Sequence, residues 1–189
     1  YQYKNHKINN SSEVLVSIIE NSLKKINKKY EQINKIIIIN GPGSFTGIRC
    51  SVTFAKMIRS TLSIPIYGFS KFELANFQYT KNDENKDIKK RIFLHYQGKN
   101  FFHASFDKKK MISGPEILNI GQFNFNHYQK DLIICDSKVI LDSLIKDKKI
   151  KNSSSVSIFN YKFEDIVKLK EQSFQKKYIP QPIYVKNFY

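Results

Sequence analysis

Apolar positions fall into short branched runs and longer helical spacings, separated by glycine, proline and charge. The clearest run is four isoleucines, Ile36 to Ile39. It is too short for a helix, and its β-branched side chains disfavour one, so it predicts a strand buried on both faces. Upstream, residues 11–29 are apolar at Val14, Leu15, Val16, Ile18, Ile19, Leu23 and Ile26. A one-faced surface helix needs about three apolar positions per two turns. The first two turns here hold five, spread over most of the circumference. Such a helix is covered on two sides, either inside the fold or by the fold on one side and a partner protein on the other. Asn10 and Glu13 have capping-box spacing, and Lys24, Lys25, Lys28 and Lys29 stand where the helix dipole favours cations.

A second helical pattern runs from Ile48 to about Leu62. Ile48, Val52, Ala55 and Leu62 share one side, and Phe54, Met57 and Ile58 another. Cys50, Ser51 and Ala55 are small enough for close helix approach. Residues 64–68 predict a short edge strand, and Ser70 caps a helix containing Phe72, Leu74, Ala75 and Phe77. The polar, charged stretch 80–90 is the best linker in the chain. Residues 92–94 and 101–106 predict a hairpin around Gln97–Asn100, with Lys108 to Lys110 a solvated tip. A short strand at 132–134, a helix over 139–145, a Ser-rich loop at 152–155 and an amphipathic helix over 161–172 follow. Pro180 and Pro182 make the tail from 179 extended. Residues 1–8 alternate only loosely, as the end of an edge strand would. The whole is a mixed α/β chain. Its expected division is an N-terminal lobe, 1–80, with the tail 179–189 packing back on it, a linker at 81–90, and a smaller lobe at 91–178.

Composition changes this picture little. The 189 residues are 41% hydrophobic, enough for a real core. No apolar stretch is long enough to span a membrane. The net charge of +16 would suggest nucleic acid, but only three of the 32 basic residues are arginine: Arg49, Arg59 and Arg91. Arginine is the preferred residue for planar phosphate contacts. A generally basic, solvated exterior is therefore the better reading, with weak, salt-sensitive attraction to polyanions. Cys50 and Cys135, the only cysteines, read as buried thiols of a reducing compartment. The four histidines are widely spaced, so there is no metal-ligand pattern.

The candidate chemistry sits at 41–49, GPGSFTGIR, between the isoleucine strand and the second helix. Strand, glycine turn and helix aim backbone N–H groups at one point, which can hold an anion. Two phosphate-loop patterns fail. No lysine follows Gly47, and the spacings between Gly41, Gly43 and Gly47 depart from the dinucleotide fingerprint. The better reading is a rigid corner, with Pro42 fixing one dihedral and the glycines taking positive φ. Ser44 and Thr46 are exposed hydroxyls with no nearby histidine in sequence. Asp136 is read as a helix cap rather than a metal or ribose ligand. The residues alone give no enzyme.

The same stretch, followed by Thr53-Phe54-Ala55-Lys56, resembles the signature of the bacterial TsaB family, also called YeaZ. That family carries GPGSFTGLR opening a helix with an Ala-Lys pair at its middle. The similarity runs from about Ser11 to Ala75 and returns at the tail, where residues 182–186 resemble the family's Tyr-hydrophobic-Arg ending with Lys186 for Arg. Ser11-Ser12-Glu13 stands for the family's His-Ser-Glu. His95-Tyr96-Gln97 and Cys135-Asp136-Ser137 depart from its Asp-Ala-Arg tip and Gly-Asp-Gly turn.

The resemblance implies an α/β, actin-like (ASKHA, RNase H-like) fold of two lobes. Nothing before Tyr1 supplies the family's first β-hairpin, so nucleotide binding in the usual way is not expected. It implies a non-catalytic scaffold subunit in tRNA threonylcarbamoyladenosine formation, without catalytic, metal or cofactor-binding residues of its own. ATP and metal are expected in partner subunits. The implied partners are a TsaD-type transferase, a TsaE-type ATPase and, indirectly or weakly, tRNA; a homodimer is the alternative when the transferase is absent. The implied partner face is Leu15, Ile18, Ile19, Ser22, Ile48, Ser51, Val52 and Ala55, beside a signature turn of Gly41, Pro42, Gly43, Ser44, Phe45, Thr46, Gly47 and Arg49. The expected setting is the cytoplasm or an organelle, with no membrane. Two alternatives stay open: a stand-alone actin-like nucleotide-binding enzyme holding phosphate at 41–47, and a small basic RNA-binding protein.

Overall fold

The computed structural model of the chain describes residues 11–81, 87–119, 121, 130–138, 140–142, 156–172 and 180–185. The expected edge strand at 1–8, the Asn10 cap, most of the linker, the 152–155 loop and the far end of the helix at 139–145 lie outside them. The chain divides into two compact units, Tyr1–Ser70 with Ser173–Ile183, and Lys71–Gln172 with Tyr184–Tyr189.

The first unit contains α1 (Ser11–Lys25), a 3-10 turn (Tyr30–Gln32), β1 (Ile36–Ile39), α2 (Phe45–Leu62) and β2 (Ile66–Phe69). The first helix stops at Lys25 rather than Lys29. Asn27 takes a left-handed backbone (φ 56°), and the Lys28 N–H turns back to the Leu23 carbonyl at 2.9 Å. Asparagine tolerates that stop better than most residues. Both strands run parallel, from Ile36 opposite Ile66 to Ile39 opposite Phe69. The isoleucine strand was expected to be buried on both faces, and the structure corrects this: all four residues are half-buried. Among the described residues β2 is the only sheet partner of β1. The second helix packs on both strands and ends where Ser63 turns left-handed, its N–H bonding the Arg59 carbonyl at 2.7 Å.

The second unit is built on a mixed five-stranded sheet. Its strands are β3 (Lys90–Gln97), β4 (Asn100–Asp107), β5 (Lys110–Asn119), β6 (Leu132–Cys135) and β7 (Val156–Ile158), in the order β5-β4-β3-β6-β7. The pairs β3–β4 and β4–β5 are antiparallel; β3–β6 and β6–β7 are parallel. Both faces of the central strands are covered, which is why Ile92-Phe93-Leu94 and Leu132 to Cys135 read as unbroken apolar runs. On one face Phe93, Phe101, Ile133, Cys135 and Ile140 form a cluster, with the Phe93 and Phe101 rings edge to face at 5.4 Å. The helix α3 (Lys71–Thr80) was expected in the first lobe. It belongs to the second unit, where it packs on β3 and on α4 (Phe163–Gln172) and buries Phe72, Leu74, Ala75 and Phe77.

Neither β5 nor β7 was anticipated. In β5, Gly114-Pro115 breaks the apolar alternation, and such a pair normally marks a turn. The fold instead absorbs it as an irregularity, with the pairing register shifting between His103 and Ser105. In the last helix the expected apolar Phe163 is exposed, while Asp165 is buried. That carboxylate accepts from Lys81 Nζ at 2.5 Å and Gln78 Nε2 at 3.0 Å, fastening α4 to α3. Among the described residues no helix is long and apolar enough to cross a membrane.

Candidate functional site

The signature turn begins where β1 ends. Asn40 is buried and its N–H bonds the Phe69 carbonyl at 3.0 Å, continuing the ladder to β2. Its carbonyl accepts from the Ile183 N–H at 2.8 Å, and its Nδ2 donates to the Gln181 carbonyl at 2.7 Å. One side chain and one peptide unit therefore hold the tail against the strand end. Gly41 follows with φ +129°, across a cis bond to Pro42. A Cβ on Gly41 would lie 2.8 Å from the Ile183 carbonyl oxygen, and one on Gly68 would lie 2.3 Å from Pro180 Cβ. The glycines thus make room for the tail. The expectation that the turn's glycines take positive φ is met at Gly41 and corrected at Gly43 and Gly47, the latter lying inside α2; the corner is also a socket.

Ser44 caps α2, its Oγ accepting from the Gly47 N–H at 3.3 Å, so the hydroxyl occupies one of the first-turn donors that an anion would need. Ser44→Ala is expected to cost about 1 kcal/mol, read as a lower melting midpoint of the purified chain. Phe45 and Thr46 are exposed, and the Arg49 guanidinium lies 4.7 Å from the centroid of the Phe45 ring. Among the described residues the histidines are His95 and His103, both in the other unit, so neither pairs with Ser44 or Thr46 within this one.

The expected partner face separates into two groups. Ile48, Val52 and Ala55 are 8%, 2% and 1% exposed and form core within the unit itself. Of the three residues small enough for close helix approach, Ala55 is buried within the unit, whereas Ser51 is half-buried and so is Cys50, which was expected to be a buried thiol. Leu15, Ile18, Ile19, Ser22 and Ser51 are half-buried. Leu15 and Ile19 line a cleft of about 530 Å³, together with Ser51, Phe54, Ile58 and the isoleucines of β1. The Ser22 and Ser51 hydroxyls bond carbonyls one turn back, at 2.7 and 2.8 Å. The outward apolar residues are others: Phe45, Met57, Val16 and Ile26.

In the second unit, Asp136 does not cap the next helix as expected. Its Oδ1 accepts from the His95 N–H at 2.8 Å, tying the ends of β6 and β3 together. Ser137 opens the helix instead, its carbonyl accepting from Leu141 N–H at 3.3 Å. Burial raises the Asp136 carboxyl above its ordinary range and lowers the Lys71 ammonium, whose Nζ lies 5.7 Å from the centroid of the Tyr161 ring. Burial pushes the Cys135 thiol up to about 12, so it is no nucleophile at neutral pH.

Comparison with known proteins bears on this geometry. A family model described as "TsaD: tRNA N6-adenosine threonylcarbamoyltransferase" matches residues 6–90. A protein of Buchnera aphidicola (strain APS), named tRNA threonylcarbamoyladenosine biosynthesis protein TsaB, is 23% identical over 139 residues, covering 69% of this chain and 60% of the relative. The Bacillus subtilis protein of the same name is 33% identical over 73 residues, covering 39% of this chain and 30% of the relative. The matches therefore span less than two thirds of those relatives. Two solved Pseudomonas aeruginosa structures resemble the fold at 10% identity. One, described as an uncharacterized protein with similarity to peptidase YeaZ, has a TM-score of 0.63 and covers 92% of this chain and 83% of its own. The other, YeaZ, has a TM-score of 0.60 and covers 87% and 77%. The chain is thus similar in sequence to proteins named TsaB and in fold to the YeaZ structures. Its fold is accordingly the actin-like α/β fold, with a mixed sheet in the second unit.

Beside that likeness, the turn at 41–49 is the most informative local feature. Sequence reasoning missed Asn40, the residue that joins strand, turn and tail. A signal was present, because a polar side chain directly after four isoleucines needs partners if it is buried; here Nδ2 has one in the tail, while the buried Oδ1 has none among the described residues. The tail partner, 141 residues away in the chain, gave no local sign.

Proposed function

We propose that this chain acts in tRNA threonylcarbamoyladenosine biosynthesis as an accessory subunit that binds a TsaD-type transferase. What carries the reading is the signature turn, intact and seated between β1 and α2, in a chain whose curated relatives are named for that pathway. The proposed docking surface is the exposed side of α1 and α2. The half-buried apolar row of α1 and the outward Val16, Phe45 and Met57 support that choice. A TsaE-type ATPase and tRNA join through the transferase in this reading, and ATP and metal reside in those subunits. The cytoplasm, or an organelle with its own tRNA, is the setting proposed.

The test is a pull-down with the TsaD-type protein of the same organism, comparing wild type with Val16→Asp and Met57→Asp. These positions are 46% and 51% exposed, so both variants should fold. Wild type is expected to bind and both variants to lose at least about tenfold in affinity, the loss of one well-packed anchor. Binding unchanged in both variants removes the α1–α2 surface from the reading. No binding by folded wild type removes the scaffold role. One observation favours a second reading, that the chain has nucleotide-dependent activity of its own: the family model matched over 6–90 is described as the transferase itself. Saturable ATP binding by the isolated chain, measured by calorimetry, would select it.

A further inference from the structure

Arginine is scarce in this chain, three of its 32 basic residues, with lysine supplying the rest. A chain so biased keeps arginine where a planar fork of donors does what an ammonium cannot. Arg91 is such a place. Its Nε donates to Asp131 Oδ2 at 2.7 Å and its Nη1 to Ser105 Oγ at 2.6 Å, opening a run that continues across the sheet to His103 and Glu116. The other two arginines both stand in α2. Arg59 is half-buried in its last turn, where the helix dipole favours a cation.

Arg49 has no such internal use. It is exposed in the second turn of α2. Helix side chains lean toward the N-terminus, and the guanidinium accordingly lies 4.7 Å from the centroid of the exposed Phe45 ring, one turn earlier. The dipole disfavours a cation at that end, and no acidic residue stands in the first turn to offset it. Residues 32–72 carry no acidic side chain at all. Among the described residues no carboxylate pairs with Arg49. The ring contact offsets part of the dipole's cost and fixes the direction of the fork. An outward guanidinium is thus held ready, with its counter-charge outside the described fold.

The surroundings say what kind of partner brings that charge. Phe45 and Met57 are outward apolar residues of the same helix, and Thr46 and Thr53 are exposed hydroxyls. An RNA site would gather further cations around the arginine. Lys56 instead turns to the tail, its Nζ donating to Gln181 Oε1 at 3.3 Å. Lys24, Lys28 and Lys29 line a separate recess with Glu20 and Glu31, to which α2 contributes nothing. An arginine stacked on an aromatic ring beside apolar residues has the make-up of a protein interface.

We propose that Arg49, held on the Phe45 ring, receives a carboxylate of the TsaD-type partner, an aspartate or glutamate on an acidic face that docks over the start of α2. The inference rests on the docking surface proposed above and adds the chemistry the partner presents there. A carboxylate offers two coplanar oxygens to the guanidinium fork, and its charge complements a stretch of this chain without acids. Covering Phe45 excludes water from the pair. A partner lacking the carboxylate would bury Arg49 without a counter-charge and be rejected.

The experiment measures, by calorimetry, the affinity of the full chain for the TsaD-type protein of the same organism, with Arg49→Lys and Arg49→Glu beside wild type. The position is exposed, so both variants should keep the wild-type melting midpoint. Arg49→Lys keeps the charge and loses the fork. It is expected to bind at least about tenfold more weakly, the loss of one charge-assisted hydrogen bond. Arg49→Glu sets carboxylate against carboxylate and should lose at least about a hundredfold. In the Arg49→Lys complex at saturating partner, a zero-length carbodiimide should join the introduced amine to an aspartate or glutamate of the partner, identified by mass spectrometry. Met57→Asp and Val16→Asp separate this contact from the surface it rests on. If they lose binding while Arg49→Lys binds like wild type, the docking surface stands and the carboxylate contact is overturned. If folded wild type does not bind, both fall. If Arg49→Lys leaves the affinity for the transferase unchanged but weakens tRNA binding by the isolated chain, the anion is a phosphate and the proposal is overturned.

Discussion

Val52→Asp is expected to unfold the first unit, while Met57→Asp leaves its melting temperature within a few degrees of wild type. Both change an apolar residue of α2 to a carboxylate, so helix propensity does not separate them. Burial does. Val52 is 2% exposed and faces the unit's own core, whereas Met57 is 51% exposed. Burying an unpaired charge costs several kcal/mol even after the structure relaxes, comparable to the roughly 5–15 kcal/mol that holds a whole domain together. An exposed substitution usually changes stability by less than about 0.5 kcal/mol. Thermal melts followed by circular dichroism distinguish the two outcomes directly. A stable Val52→Asp would mean that α2 presents Val52 outward, and the division of the helix into inner and outer sides would be wrong. The result also governs partner experiments. Lost binding in Val52→Asp reports unfolding, and only outward positions such as Met57 and Val16 can locate an interface.

The N-terminal elements were legible because their signals are local. Four isoleucines, three glycines within seven residues and a helix-length apolar pattern specify strand, turn and helix without reference to the rest of the chain. Which side of α2 faces inward was not legible. Apolar residues occur on more than one side, and the choice depends on where β1, β2 and the tail come to lie. The second unit hid more. Gly114-Pro115 disguised β5 as a turn, because local turn chemistry and sheet pairing compete and here the pairing prevailed. Asp165 looked like an ordinary charge on an amphipathic helix. Its burial follows from Lys81 and Gln78, more than eighty residues earlier in sequence. The Arg91–Ser105–His103–Glu116 run was invisible for the same reason, since cross-strand register, not sequence spacing, brings its members together.

Gly41→Ala is expected to release the tail. At φ +129° an alanine is strained by about 1–3 kcal/mol from the backbone alone. Its methyl would also lie 2.8 Å from the Ile183 carbonyl oxygen and 3.2 Å from Ile183 Cβ, contacts that cannot persist. Something must move, and the tail carries fewer constraints than the end of a sheet strand. The Ile183 N–H, which bonds the Asn40 carbonyl at 2.8 Å, is the direct reporter. Its hydrogen exchange should accelerate in the variant, and the melting midpoint should fall by about 4–8 °C for each kcal/mol lost. Gly98→Ala is a control for an uncrowded glycine: φ is 54° there and a Cβ meets nothing within 4 Å. Because +54° is easier for alanine than +129°, the Ile183 amide, rather than the difference in melting midpoint, measures the socket. Should the Ile183 amide stay protected in Gly41→Ala, the tail is held chiefly by Pro180 over Gly68 and by the Asn40–Gln181 bond, and the first glycine of the signature turn serves the corner alone.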